Sequence, residues 1–95
     1  MNPTNKSTGI LAVDTTLIMT GQAIVSGISI TAAAADVTVT LYDALSATGT
    51  EVAKYILDIS IEGLSTYVAL PDIKCTTGLT AVVAGVGAEA IVHYR

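Results

Sequence analysis

The chain has 95 residues and a mass of 9.6 kDa, which is enough for one small domain and leaves no room for a second module. Hydrophobic residues make up 52% of it and charged residues 13%, and eight acidic against four basic residues give a net charge of −4. This balance excludes an intrinsically disordered chain and excludes nucleic-acid binding through a basic patch.

The chain begins with a polar segment, residues 1–8 (MNPTNKST), which has no side chain suited to a core. We expect this segment to be an arm that is flexible or becomes ordered on a neighbouring molecule. More than a third of all residues are Val, Ile or Thr, while Phe and Trp are absent, and this composition favours strands. We therefore expect a single β-domain over residues 9–95.

The first β-type runs cover residues 9–14 and 17–31. The second run is long enough for two strands, with a break or a bulge near Gly21 or Gly27. The alanines that follow, at 32–35, are compatible with a helical turn or with a tight loop.

Residues 36–43 (DVTVTLYD) alternate strictly between apolar and polar side chains. This period of two predicts a half-buried strand with Val37, Val39 and Leu41 on one face. A loop of small residues follows and pivots on Gly49. Residues 51–61 then alternate again, and the strand expected there carries Ala53, Tyr55, Leu57, Ile59 and Ile61 on one face.

Glycine and proline divide the rest of the chain into short elements. The elements expected in order are a turn at Gly63, a strand over 66–70 that Pro71-Asp72 ends, a connector over 73–78, and a final hairpin of 79–84 and 88–95 across Gly85-Val86-Gly87.

The last strand has an unusual pattern, because Ile91 interrupts an outward face that otherwise holds Glu89, His93 and Arg95. An edge strand covered by a partner tolerates such a residue, and so does a strand with both faces partly buried. The seven or eight antiparallel strands predict an all-β domain, either a small β-sandwich or a partly closed barrel, of jelly-roll or immunoglobulin-like type with its strand order open.

Residues that carry chemistry are few. His93 is the only histidine and Cys75 the only cysteine, so the chain has no second ligand for zinc and no internal disulfide. The sequence of residues 85–90 matches a dinucleotide-binding fingerprint, but the helix and second strand which that motif requires are not predicted to follow. We therefore expect no catalytic site, no metal and no cofactor, and the chain is not predicted to be an enzyme.

Sugar binding is a weaker alternative, since Tyr42, Tyr55, Tyr67 and Tyr94 are the only aromatic residues. No apolar run is long enough to cross a membrane, and polar residues interrupt the stretch 17–35, unlike a signal peptide. We expect a protein that is made in a cytoplasm and contacts no membrane.

The low charge is informative, because an ordinary soluble domain is about a quarter charged. A small body with about half of that charge predicts that neighbouring molecules cover part of its exterior, as interface cores are depleted in charge. The alternative is a monomer with Thr, Ser and Gly on its outer faces.

The pattern as a whole resembles small all-β virion proteins of tailed bacteriophages. The likeness rests on the polar arm, the Thr/Val/Ala-rich domain with few charges, and the segments 37–43 with Gly49, 73–79 with Ala81, and 91–95. It is strongest for a capsid decoration (cement) protein and implies binding to the outer surface of the capsid, with no catalytic residues. The implied partners are the major capsid protein and further copies of the chain, bound as a homo-oligomer or on a lattice.

The resemblance leaves two other functions open, a component of the tail or of the head–tail connector and a small module that binds glycans on the host surface. The arm and the last strand are the expected contact regions for a partner, since an arm can become ordered on contact and a sheet edge can accept a further strand. The predicted partner contacts are Asn2, Pro3, Thr4, Asn5, Lys6, Ile91, His93 and Arg95.

Overall fold

In the computed structural model, which describes residues 6–33 and 35–95, the chain forms two antiparallel β-sheets that pack as a sandwich. The predicted all-β sandwich is confirmed, and the sheets do not close into a barrel. The elements are β1 (Lys6–Ser7), β2 (Leu11–Ala12), β3 (Asp14–Thr20), β4 (Ala23–Thr31), β5 (Val37–Asp43), β6 (Thr50–Leu57), α1 (Ile59–Glu62), β7 (Ser65–Cys75), β8 (Gly78–Ala84) and β9 (Glu89–Tyr94).

The strand order shows how the chain is wound. Sheet A has the order β1-β9-β4-β7, with β2 also paired to β9, and sheet B has the order β3-β8-β5-β6. The antiparallel pairs β2·β9, β3·β8, β4·β7 and β5·β6 are therefore nested, as in a long two-stranded ribbon folded over on itself. This nesting is the connectivity of a jelly roll.

The core lies between the two sheets and follows the predicted alternation. Val37, Val39 and Leu41 of β5 are fully buried, whereas Thr38 and Tyr42 on the opposite face of the strand are half-buried. The largest buried side chains come from both sheets: Val25, Ile28, Ile30, Val37, Val39, Leu41, Leu57, Leu79, Val83 and Val92.

The nested pairing gathers the connections at two ends of the sandwich. We call the loop end the one that holds four of the six described crossings between sheets, at Val13, 32–36, 58–64 and 85–88. The opposite end, which we call the turn end, holds the connections at 21–22, 44–49 and 76–77. The register places the ends, since Thr31 at the loop end pairs with both Ser65 and Glu89.

The predicted strand over 51–61 is too long. β6 ends at Leu57, and the chain then makes one helical turn, α1, so Ile59 and Ile61 do not continue the strand. Asp58 caps this turn, because its Oδ1 accepts hydrogen bonds from the Ser60 N–H at 3.0 Å and the Ser60 hydroxyl at 2.6 Å. Aspartate is a preferred N-cap, and this local signal outweighs the alternation of the isoleucines.

The predicted end of a strand at Pro71-Asp72 and the predicted connector over 73–78 are also wrong. β7 runs through both residues, because the register with β4 shifts between Val25 and Gly27 and leaves the Pro71 region bulged out. β7 lies at the edge of sheet A, where a proline without an N–H is tolerated at a bulge. Asp72 adopts a positive φ of 49° there.

The predicted final hairpin is a crossing between sheets, since β8 belongs to sheet B and β9 to sheet A. Gly85 and Gly87 have positive φ values at this crossing, and the Ala88 N–H donates to the Gly85 carbonyl at 3.2 Å. β9 lies inside sheet A between β4 and the pair β1 and β2, so it is not an edge strand. Ile91 was explained either by an edge strand that a partner covers or by a strand with both faces partly buried. Because β9 is an interior strand, the second explanation applies.

The N-terminal part of the chain divides differently from the prediction. Residues 9–14 are not one strand, because β2 pairs in sheet A and β3 begins at Asp14 in sheet B. The run 17–31 contains the expected break at Gly21, and β4 has a bulge next to Gly27. Residues 32, 33, 35 and 36 adopt no helix or strand, while Ala34 lies outside the described residues.

Part of the predicted arm lies on the domain. Lys6 and Ser7 form β1 beside β9, and the Thr8 N–H donates to the Val92 carbonyl at 3.1 Å. Residues 1–5 lie outside the described part of the chain, so the arm stays a prediction there. The described helical structure is the single turn α1, and no helix there is long and apolar enough to cross a membrane.

Candidate interaction surfaces

The outer face of sheet A carries a small cluster of polar and aromatic side chains. Ser29 Oγ and His93 Nε2 share a hydrogen bond of 2.9 Å, and the Tyr67 ring packs edge-on against the imidazole with the ring centres 5.6 Å apart. We call Ser29, Tyr67 and His93 the His93 cluster. It joins three neighbouring strands, because β4 pairs with β7 on one side and with β9 on the other.

Gly27 makes room for the aromatic member of this cluster. A Cβ at this position would collide with the hydroxyl and the adjoining ring carbons of Tyr67. The ring therefore lies across β4 at Gly27 and remains 57% exposed. A glycine in an interior strand commonly marks such a close approach, whereas the sequence pattern predicted only a break or a bulge near Gly27.

The Ser29–His93 pair lacks the surroundings of a catalytic dyad. A nucleophilic serine requires a base that a third group orients and nearby N–H donors for the developing oxyanion. Among the described residues no carboxylate hydrogen-bonds to His93, and β4 and β9 are interior strands whose backbone groups take part in pairing on both sides. The cluster is suited to presenting an aromatic ring and polar groups to another molecule.

The predicted contact residues do not all come together. Asn2, Pro3, Thr4 and Asn5 lie outside the described residues. Ile91 and His93 are half-buried on the outer face of sheet A, and Lys6 is exposed at the edge of the same sheet. A shallow depression beside the His93 cluster is lined by Ile10, Ser29, Thr31, Glu89, Ala90 and Ile91.

Arg95 is held on both its backbone and its side chain. Its N–H and carbonyl exchange hydrogen bonds of 2.8 Å with Ile24, and its guanidinium forms a 2.9 Å ion pair with Asp72. Arg95 was predicted to contact a partner, and in the structure its side chain is already paired with Asp72.

The tyrosines do not form a shared groove. Tyr67 is exposed on sheet A, Tyr42 faces outward on sheet B, and Tyr94 lines a different depression near Leu11 and Ile18. Tyr55 packs against the core. A sugar ring bound between two tyrosines has no site in this arrangement.

At the turn end, Asp43 ties two connections together. Its carboxylate accepts hydrogen bonds from the N–H groups of Thr77 at 2.8 Å, Thr76 at 3.0 Å and Gly78 at 3.3 Å, and from the Thr76 hydroxyl at 3.3 Å. These donors favour the ionised form, so they hold the pKa of Asp43 below its usual value, with the Thr77 N–H as the largest cause. The neighbouring Cys75 is buried, and burial raises the pKa of its thiol.

The loop end forms a second surface, which no pattern in the sequence indicated. Hydrogen bonds link its crossings: the Ile59 N–H donates to Asp36 Oδ1 at 3.2 Å and the Ala32 N–H donates to the Leu64 carbonyl at 2.7 Å. Ala33 packs closely against Gly87, which connects the crossing at 85–88 to the one at 32–36. These three crossings of the loop end therefore form a continuous surface.

Large hydrophobic side chains are exposed on this surface. Ile61 is 80% exposed, Val86 73%, Leu64 57% and Val13 49%. Each comes from a crossing or from its immediate flank, and the winding of the chain brings them to one end. Alternation had assigned Ile61 to the inner face of a strand, so this exposure could not be read from the sequence pattern.

The charges are unevenly distributed between the two ends. Asp14, Asp36, Asp58 and Glu89 lie at the loop end, where the described residues include no Lys or Arg. Ser60 donates two hydrogen bonds to Asp58 and lowers its pKa, which keeps that carboxylate ionised. The basic residues lie elsewhere: Lys6, Lys74 and Arg95 on sheet A toward the turn end, and Lys54 within β6.

Within residues 6–33 and 35–95, no three His, Cys, Asp or Glu side chains come close enough together to hold a metal ion.

No protein-family model, curated protein or solved structure matches the chain.

Proposed function

We propose that the protein is a non-catalytic structural component of a bacteriophage virion, a decoration protein that binds the outer surface of the capsid and stabilises the shell. The observation that carries this proposal is the exposure of four large hydrophobic side chains at the loop end, on a domain that is only 13% charged. Exposed apolar clusters on a small domain are typical of surfaces that another protein covers.

The fold is compatible with this function without requiring it. Jelly rolls occur in viral capsid proteins and also in lectins and cupins, so the connectivity supports the proposal only by analogy. The net charge of −4 disfavours a position facing packaged DNA and suits the outside of a shell. If repeated copies bind on a lattice, their many weak contacts together attach the protein firmly to the shell.

The experiment is to quantify the protein in purified virions encoded by the same genome and then to strip it from them. We expect a copy number comparable to that of the major capsid protein. We also expect stripped particles to break at lower temperature and at milder osmotic shock, with both properties restored when the protein is added back.

Absence from the particles, or stripped particles as resistant as intact ones, would contradict the proposal. A handful of copies per particle, located at the vertex that joins the tail, would favour a tail or connector component instead.

A further inference from the structure

We propose that the loop end is the surface that docks on the capsid, and that its partner there is a basic protein surface with Lys or Arg side chains around an apolar contact. This inference rests on the proposed function and adds which face binds and what chemistry it meets. It differs from the sequence-based expectation, which placed the contact on the arm and the last strand.

The loop end exposes large hydrophobic side chains of the kind found at the centre of protein–protein interfaces. Ile61, Leu64 and Val86 are each more than half exposed, and they lie on crossings that hydrogen bonds and packing hold together. Single exposed hydrophobic residues are ordinary, but a group collected from separate segments at one end marks a binding site. Such residues lose contact with water when a partner covers them, which favours association.

The surface is also organised before binding. The Asp58 cap, the Asp36 contact with α1 and the bond from Ala32 to Leu64 hold the crossings in one arrangement. A partner that meets a preorganised surface has less conformational entropy to remove. The exposed isoleucine of α1 is therefore presented on a defined turn.

The charges identify the chemistry of the partner. The carboxylates of Asp14, Asp36, Asp58 and Glu89 lie at the same end as the exposed apolar residues, and the described residues place no cation there. At physiological ionic strength exposed charges are screened beyond about 8 Å, so these carboxylates act on partner groups that dock directly against this end. A basic partner is attracted to this end and oriented by it, whereas an acidic partner is repelled.

A second copy of the chain is a poorer occupant. Two loop ends facing each other would bring their carboxylates together without a compensating cation. In a head-to-tail arrangement the loop end would meet the turn end, where Asp43 and Glu51 offset Lys6 and Lys74 and where Arg95 is already paired with Asp72, so no net positive charge faces the carboxylates. A foreign surface rich in Lys or Arg fits the charge pattern better.

The first test maps the contact in intact virions with a zero-length carbodiimide cross-linker, which joins carboxylates to lysines, followed by mass spectrometry. We expect cross-links from Glu89 and Asp14 to lysines of the major capsid protein. Cross-links that come only from Glu51 or Asp72 would overturn the inference while leaving the proposed function intact. Cross-links from Glu89 to Lys6 or Lys74 of another copy would overturn it in favour of head-to-tail self-association.

The second test measures binding of purified variants to stripped virions. Ile61→Ser removes an exposed apolar contact at the loop end, and Ile56→Ser, on the outer face of sheet B, is its matched control because Ile56 is also exposed. Glu89→Lys reverses a charge at the loop end, and Glu51→Lys makes the same change at the turn end. Circular dichroism and thermal unfolding verify that each variant is folded.

We expect Ile61→Ser and Glu89→Lys each to weaken binding about ten-fold, while both controls bind like the wild type. We also expect the dependence of binding on salt concentration to be smaller for Glu89→Lys. Loop-end variants that bind like their controls would overturn the inference alone. A wild-type protein that does not rebind stripped virions would overturn the proposed function together with it.

Discussion

Two substitutions in the same part of the chain, Leu57→Ala and Ile61→Ala, separate the structure from the simple alternation of residues 51–61. Leu57 is fully buried at the end of β6, whereas Ile61 is 80% exposed on α1. Each substitution removes three carbon atoms. If residues 51–61 formed one strand, both side chains would lie on its inner face and the two substitutions would destabilise the protein similarly.

The expected magnitudes follow from burial. Three buried carbons at about 0.8 kcal/mol each, together with the cost of the cavity that remains, make Leu57→Ala destabilising by about 3 kcal/mol. The total stability of a domain this size is about 5 to 14 kcal/mol, so the loss is a large fraction of it. Ile61→Ala changes a solvated side chain and is expected to alter the free energy of unfolding by less than about 0.5 kcal/mol.

Urea unfolding at 25 °C, followed by circular dichroism and tyrosine fluorescence, measures both effects. We expect the midpoint of Leu57→Ala to fall by roughly 1.5 to 3 M with an unchanged m-value, and the midpoint of Ile61→Ala to stay near that of the wild type. Equal destabilisation by the two substitutions would refute the termination of β6 at Leu57. It would also remove the exposed isoleucine on which the docking surface depends.

Three further predictions concern the turn end and the outer face of sheet A. Asp43→Asn should lower the melting temperature at neutral pH, because an amide accepts the backbone hydrogen bonds less strongly than a carboxylate. Since the folded-state pKa of Asp43 is lowered from 3.8, its contribution is complete above that value, and the difference between wild type and variant should shrink as the pH falls below about 4. Cys75 should not react with a thiol reagent at pH 8 in the native protein and should react on unfolding, whereas a cysteine introduced at the exposed Thr48 should react at once. Gly27→Ala should displace the Tyr67 ring, shift the imidazole proton resonances of the single histidine and lower stability, and the loss should be smaller when Tyr67→Ala is present as well.

The contrary results are equally specific. A difference between wild type and Asp43→Asn that stays constant down to pH 2 would contradict the bonded carboxylate. Native Cys75 that reacts as fast as the introduced cysteine would contradict its burial. Additive effects of Gly27→Ala and Tyr67→Ala would show that the ring does not lie over the glycine.

The loop end and the His93 cluster are separate surfaces, so they can make different contacts in an assembly. The loop end is apolar and acidic, while the His93 cluster on sheet A presents a tyrosine ring beside a hydrogen-bonded serine and histidine. A decoration protein that docks through its loop end would leave the outer face of sheet A available to neighbouring copies or to solvent.

The composition and the local patterns of the sequence determined much of the fold. The alternation of residues 36–43 predicted which side chains of β5 face the core, because a period of two separates the faces of a strand wherever it pairs. Gly21 and Gly27 predicted a break and a bulge, since glycine tolerates backbone conformations and close approaches that other residues do not. The expectation from the low charge, that a neighbouring molecule covers part of the surface, stays a prediction.

Only the tertiary structure decided which strands are neighbours and which apolar residues stay outside. The pairing of Thr8 with Val92 joins residues at the two ends of the chain, and no local pattern specifies such a contact. The same winding continues β7 past Pro71, separates β8 from β9, and places Ile61 and Val86 at one exposed end. Local periodicity defines the faces of a strand, whereas the burial of the two sheets against each other selects the strand order, and with it the surface available to a partner.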